Sequence, residues 1–574
     1  MSKVTITTKV LTAASPEHPP RAAVGYTGSV KIQLSKDQNF TIGVTSTSAL
    51  TPNQYGYIKT TIEGLDSNTQ YYARISSYDG TTADNNTIAK FKTPPSGNHS
   101  FKFGFGSCLN NKPHNGNGGQ ARVLRNIKEK AEKGDIEFFY MLGDWDYNDI
   151  ATNDVNLFYD SYHERFNGTT ASRQLGFYSS KDCWASMPLY FMNDDHDSGP
   201  NDGYKDSPAK PAAIETFRNV VPGPTLANLS GTTSGVYYSF TRGRVRFVAT
   251  DNRNERTQDN SVSNPKRPND PSQYILSDQQ EQWFKDQISQ AATGGQAVIW
   301  VNSIAWVGPG AATGAPDDPR PTGATYDYDI KRNWNGYIGR DVDTGDTLGI
   351  TYDFVTSPAF DIWGTRELQR ERIANHITGL TMSDRIVVIS GDMHALAFDD
   401  GYEHNGDGSY KLDGFGNKIK NRNNRATLKV CHSSPLTQIA PPAPYTFFQD
   451  PYTTNFMDEY VGDPVGSGFT GYAWSENAGL NTRGGPYYIG PLRSHTGRLS
   501  PEYDPDDPGY ITYTSYAESY ATMEVTDLGG TTIGFAFKGY LLDTFFSSAA
   551  NHIAGLTHPE TLVINKSWIV DLNS

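Results

Sequence analysis

Four sulfur or carboxylate side chains stand where short apolar runs give out: Cys108 after FKFGFGS, Asp144 after IEFFYMLG, Asp195 after LYFMND and Asp392 after RIVVISG. Open α/β sheets gather ligand-binding side chains at strand ends, so four such ends point to one site. More donors surround them. GDWDY (Gly143 to Tyr147) adds a phenol, Tyr147, three residues beyond Asp144, and a loop can bring both onto one cation. NDDHDSGPND (Asn193 to Asp202) crowds Asp194, Asp195 and Asn201 around His196. SGDMH (Ser390 to His394) pairs Asp392 with His394 at a spacing of two, which on extended backbone turns both side chains the same way. Each motif alone has a plainer reading: a turn-forming or capping aspartate, a solvated acidic turn or calcium-stabilised loop, a core histidine beside a cap. Together they describe one cation site.

The elements that must position these residues can be read from the patterning. From Val4 to about Thr93 short alternating runs (VTITTKV, GSVKIQL, FTIGVTS, YIKTTIEGL, YYARISSYDG, TIAKFKT) predict a small β-sandwich, closed by the linker Pro94 to Gly97. After the linker, apolar strands alternate with amphipathic helices, as an α/β domain requires. ARVLRNIKEKAEKG, LSDQQEQWFKDQISQA and RELQRERIANHI read as helices; IEFFYMLGD, RVRFVATDN, QAVIWVNS and RIVVISGD read as strands. Beyond Gly401 regular patterns thin out until YATMEVTD and TTIGFAFKGYLL, two late strands. The Pro-, Gly- and Tyr-rich stretch between, about 401–510, is too long for an ordinary connection and reads as functional loops or inserts. At 574 residues, two domains are expected, 1–95 and 98–574.

The formal charge of −14 opposes loose binding to nucleic acid or anionic membrane, so an anionic substrate needs a locally positive site, which bound metal ions supply. Three cysteines exclude a disulfide framework and allow one bridge at most. No apolar run has transmembrane length, and MSKVTITTKVLTAASP lacks the basic segment and apolar stretch of a signal peptide.

GSC, GDWDY, DDHD followed by GPND, DNRNER (Asp251 to Arg256), LSDQQEQWF (Leu276 to Phe284) and SGDMH occur in the order and approximate spacing of the PhoD-like (alkaline phosphatase D) family, which this chain resembles over most of residues 55–400. FKTPP (Phe91 to Pro95) and DIWGTRELQRER (Asp361 to Arg372) extend the likeness, and IEGLDSNTQYYARI with FKTPP resembles the end of a fibronectin type III module. The resemblance implies a metallophosphatase-like α/β sandwich behind an N-terminal fibronectin- or Ig-like β-sandwich, and cleavage of phosphate esters at an Fe(III) and Ca(II) site. It implies Cys108 and Tyr147 as thiolate and phenolate ligands of iron, Asp144 as the bridging carboxylate, Asp392 and His394 as ligands from the last strand, and Asp195 with Asp194 and Asn201 toward the second metal. One departure stands out: Asp197 follows the histidine where the commoner family form has Glu, and a longer turn precedes Asn201.

The donor chemistry agrees. A metal pair activates water in line with an inert phosphate ester and neutralises growing charge; hard oxygens suit calcium, while thiolate and phenolate stabilise trivalent iron. Zinc or manganese on the same scaffold is the alternative. His196 is left to protonate the leaving oxygen, and Arg253 to hold a phosphate oxygen bidentately. Phosphomonoesterase, phosphodiesterase and phospholipase D-type activities all occur on this scaffold by resemblance. A calcium-stabilised adhesion protein is the rival from another class, disfavoured because sulfur and nitrogen ligands serve no purpose in a calcium-only site. The resemblance places such proteins outside the cell or in the periplasm.

Overall fold

The computed structural model describes residues 2–10, 28–79, 82–84, 87–109, 122–145, 147–167, 180–227, 235–258, 271–307, 363–392, 396–402, 410, 412–420, 424–434, 436, 488–489, 519–542 and 560–573. Six strands come before the linker: β1 (Ser2–Lys9), β2 (Val30–Ser35), β3 (Thr45–Ser46), β4 (Tyr57–Leu65), β5 (Gln70–Ser77) and β6 (Ala89–Lys92). β1 and β4 form one antiparallel pair, and a second antiparallel sheet runs β3-β2-β5-β6. Ile32, Leu34, Tyr71 and Phe91 of the second sheet bury against Leu65, Val4, Ile6 and Ile62 of the first. Alternation along the first half of β5 puts Tyr71 and Ala73 inward, as a half-buried strand requires. FTIGVTS yields only Thr45–Ser46 as strand, because the Thr41 N–H and hydroxyl turn back onto the Asp37 carboxylate and Ile42 is left 72% exposed.

This N-terminal unit is fastened to the larger α/β body. The Tyr55 ring stacks on Tyr159 with centroids 3.8 Å apart, and Tyr57 Oη donates to the Tyr159 carbonyl at 3.3 Å. Tyr57 is buried in the same cluster as Leu124, Met141 and Phe191. Lys59 Nζ and the Lys90 N–H reach the carbonyls of Arg218 and Ala185, both at 2.7 Å.

The α/β body is built on two facing sheets. β7 (Phe101–Gly106), β8 (Phe138–Met141) and β9 (Leu189–Phe191) are parallel. The other sheet holds β10 (Tyr238–Arg242), β11 (Val245–Ala249), β12 (Ala297–Val301), β13 (Ile386–Ser390), β14 (Leu396–Asp399), β15 (Lys429–Ser433) and β16 (Tyr488–Ile489) in the order β10-β11-β12-β13-β15-β14-β16. β17 (Ser519–Asp527), β18 (Thr532–Leu542) and β19 (Glu560–Asp571) complete the first sheet as β19-β18-β17-β7-β8-β9. Phe103, Phe105 and Phe138 meet Phe247, Ile299 and Ile389 in the core between the sheets. Helices Asp278–Thr293 and Glu367–Gly379 cover the outer face of the second sheet around Trp300, Trp306 and Trp363. Arg122–Lys133, Val155–Asn167 and Lys210–Val220 cover the first. The layers are therefore helix, sheet, sheet, helix, a mixed α/β fold as the patterning implies. No helix among the described residues is long and apolar enough to cross a membrane, and all three cysteines are free, buried thiols.

Two helices of the outer layer are locked by Glu281, which accepts from Lys285 at 2.5 Å, Arg372 at 2.7 Å and Gln369 at 2.9 Å. Burial pushes its carboxyl up, but the hydrogen bonds from Arg372, Lys285 and Gln369 outweigh burial and hold it down at about 2. A carboxylate depressed on folding contributes stability that is present above its unfolded pKa, roughly 4.3, and fades as pH falls toward the folded value. Glu281→Gln should therefore lower the melting temperature at pH 7 by about 2 °C, and thermal scans down to pH 2 should show the two proteins converging. A gap that stays constant with pH would refute the linkage.

Candidate metal centre

Every chemistry-bearing motif lands at the carboxyl end of a parallel strand. Ser107 and Cys108 follow β7, Asp144 follows β8, Asp194 and Asp195 follow β9, Asp251 to Arg253 follow β11, Asn302 and Ser303 follow β12, Asp392 follows β13 and Ser434 follows β15. Helices fill the outer faces, so these ends are the open rim where two sheets converge.

The chain turns sharply to deliver them. Cys108, Asp144 and Asp392 have φ of +61°, +54° and +72°, the left-handed region that costs a non-glycine residue roughly 1–2 kcal/mol. Strain at three neighbouring positions marks a site held by its surroundings. Close approach explains two glycines: a Cβ at Gly143 would collide with Asp194, and one at Gly391 with the Ser107 side chain. The left-handed turn at Asp392 also corrects the extended-strand argument for SGDMH, since its N–H is bent back onto Ser107 Oγ at 3.0 Å. His394 lies outside the described residues.

Taking one oxygen from each carboxylate, Asp144, Asp194, Asp195 and Asp392 lie within 4.8 Å of one another, and Asp144, Asp195 and His196 form an overlapping group. Asp195 belongs to both groups, and so does Asp144. Asp144 Oδ2 receives Tyr147 Oη at 3.3 Å and Cys108 Sγ at 3.4 Å, while Asp144 Oδ1 is buried with no hydrogen-bond partner. Burial pushes the Asp144 carboxyl well up, and the charges of Asp195 and Cys108 push the same way. Asp195 goes down: burial alone would raise it, but Arg253, His196 and the Asp202 N–H at 2.7 Å more than compensate. Burial, helped by Asp392, pushes the Cys108 thiol up to about 12 against the pull of Ser107 and Ser434 hydroxyls. The Tyr147 phenol is pushed well up by burial and by Cys108 and Asp144.

The residues fit a bound cation. Four crowded carboxylates, an orphaned buried carboxylate oxygen, and a thiol and phenol that ionise at neutral pH only beside positive charge all lack the same thing. Sulfur with phenolic and carboxylate oxygen is a donor set for a transition metal, and the remaining carboxylates for a harder ion.

Arg253 lies among the carboxylates. It exposes no surface; its Nε donates to Asp194, and its terminal nitrogen lies 3.4 Å from both Asp195 and Asp392. Asn201 is exposed, with its amide on Asp202 Oδ2 at 2.7 Å.

Two roles were not legible in the motifs. Asp197 is a buried anchor: its carboxylate accepts the N–H groups of Asp144 at 2.7 Å, Asp194 at 3.0 Å and Trp145 at 3.1 Å, and pairs with buried Arg165 at 3.0 Å. Asp149 hydrogen-bonds His196 Nδ1 at 2.5 Å, and the imidazole packs on Tyr147 with centroids 4.0 Å apart. Burial lowers the His196 pKa, yet Asp195 and Asp149 together raise it to about 9. The signal for both was an acidic residue too many in GDWDYND and DDHD. Ser303, which donates to Asp194 Oδ1 at 2.8 Å, carried none.

Residues 103–412, more than half of the chain, match the family model of the PhoD-like phosphatases. Among solved structures, one described as that of PhoD aligns over 99% of this chain and 88% of its own, at 15% identity and a TM-score of 0.59. A dimetal phosphatase from Danio rerio covers 59% of this chain and 88% of its own, at 10% identity and a TM-score of 0.25. No curated protein matches the chain.

Proposed function

Because the chain belongs to the PhoD-like phosphatase family, and is therefore a phosphatase-type hydrolase, we propose that it hydrolyses phosphomonoesters or phosphodiesters at a two-metal centre. The observation that carries this reading is the cluster of buried Asp144, Asp194 and Asp195 with half-buried Asp392, in which Asp144 Oδ1 is buried and unpartnered. In that reading Cys108, Tyr147 and His394 would hold Fe(III), Asp195 with Asp194 and Asn201 would serve Ca(II), and Asp144 and Asp392 would complete the donor set; zinc or manganese would use the same donors. When bound, such a pair supplies the Lewis acidity that activates water and neutralises charge on the phosphate.

The chain's own residues do the rest. Asp149 engages His196 Nδ1 and leaves Nε2 to hold the proton that the leaving oxygen takes. Arg253, buried among carboxylates, serves better to position Asp194, Asp195 and Asp392 than to touch phosphate. Residues 1–95 read as a fibronectin-like module, and 98–574 as the catalytic unit.

Elemental analysis of protein purified without chelators, with its visible spectrum and a panel of mono- and diesters, tests the reading. Iron with calcium, and a visible band from ferric thiolate and phenolate, are expected. Colourless, iron-free protein that tolerates Cys108→Ser at normal turnover removes the iron assignment and leaves the carboxylates. For the proton donor, His196→Ala should slow alkyl esters about 100-fold and activated aryl esters far less, since a good leaving group needs little protonation. Equal losses would strip His196 of that role.

A further inference from the structure

Two hydroxyls converge on the Cys108 sulfur. Ser434 Oγ donates to Sγ at 3.0 Å, and Ser107 Oγ lies 3.2 Å from the same atom. Ser107 Oγ already accepts the Asp392 N–H at 3.0 Å, so its own proton is directed elsewhere, and the sulfur is within its reach. Cys108, Ser107 and Ser434 all expose no surface, so water does not compete. A neutral thiol is a weak acceptor and a thiolate a strong one; without metal the Cys108 proton faces Asp144 Oδ2 at 3.4 Å and the Asp392 carbonyl at 3.5 Å, and the two hydroxyls aimed at the same buried sulfur suit the anion left when a metal displaces that proton.

Ser434 is brought there from beyond the segment matched by the family model, which ends at residue 412. β15 pairs in parallel with β13, so its end arrives beside Asp392. Ser433 Oγ then donates to the Phe105 carbonyl at 3.2 Å and the Leu436 N–H to the Ser107 carbonyl at 2.7 Å. Those bonds pin the segment on both sides of Ser434. A serine needing only burial would bond a carbonyl, as Ser433 does; Ser434 bonds sulfur instead.

We propose that Ser434, with Ser107, is a positioning residue that orients the Cys108 sulfur and stabilises it as a thiolate ligand, an inference that rests on the reading of Cys108 as a metal ligand. Hydrogen bonds to a ligating sulfur lower the energy of its lone pairs and tune the metal, and removing such outer partners weakens metal binding.

The test uses the full chain stripped of metal and titrated with Co(II), whose thiolate charge-transfer band in the near ultraviolet reports sulfur ligation whatever the native metal. Ser434→Ala is expected to bind Co(II) about 10-fold more weakly and to move that band to longer wavelength. Ser434→Thr, which keeps the hydroxyl, should restore the band position. Ser434→Cys keeps a weak donor of similar shape and should give an intermediate shift; it carries the test should the alanine variant not fold. A variant lacking the hydroxyl with unchanged affinity and band overturns the proposal. No thiolate band in the wild type would overturn it together with the ligand assignment of Cys108, whereas a normal wild-type band with an indifferent Ser434 leaves that assignment standing.

Discussion

Asp144→Asn is expected to reduce turnover on the order of 10⁴-fold while leaving the folded chain as stable as before, or more so, in the absence of metal. The substitution keeps size and shape and removes one negative charge. Asp144 belongs to both groups of crowded donors, accepts from Tyr147 and Cys108, and carries the unpartnered buried oxygen. Burial and the neighbouring charges already hold its carboxyl well above the ordinary range, so the unmetallated fold is relieved when the charge goes. The opposite holds once ions are present, because a ligand that binds only the native state stabilises it by mass action. Thermal scans with and without added metal should show a large rise for the wild type and little for the variant. Turnover within 10-fold of wild type at normal metal content would show that the cluster is not the catalytic centre.

The second large effect belongs to a residue that never touches substrate. Asp197→Ala removes the acceptor of three backbone N–H groups and a carboxylate partner of Arg165, whose side chain exposes no surface. An uncompensated buried charge costs about 3–5 kcal/mol, a large part of any domain's stability. Denaturant titration should show that loss directly. Asp144 and Asp194 hang from the same carboxylate, so metal content should fall with it. Asp197→Asn, which keeps one acceptor oxygen, should lie between. A variant with wild-type stability and metal content would mean that the two loops are held by something else.

Asp197 ties two loops together. Its carboxylate bridges the turns after β8 and β9 through bonds of 2.7 to 3.1 Å, a span a short side chain closes without slack. This position reads in the sequence as one more acidic residue in a loop; only its neighbours reveal an anchor.

The alternation of apolar strands with amphipathic helices, and glycine followed by aspartate at strand ends, are local patterns. Local patterns survive in one dimension: the strand decides its own length, and the turn after it decides which residue reaches the rim. That is why the places of Cys108, Asp144, Asp195 and Asp392 just beyond strand ends are legible in the sequence. Tertiary structure decided which of these groups answer one another. Cys108 and Ser434 are 326 positions apart, Asp194 and Ser303 are 109, and Asp194 and Arg253 are 59, so no window of sequence holds both members of a pair. Arg253 meets three carboxylates from separate loops, and Ser434 reaches the Cys108 sulfur because β15 pairs beside β13. Sequence determines donor types and strand ends through local propensity; the choice of partner depends on desolvation and distance, which exist only once the two sheets have closed on each other.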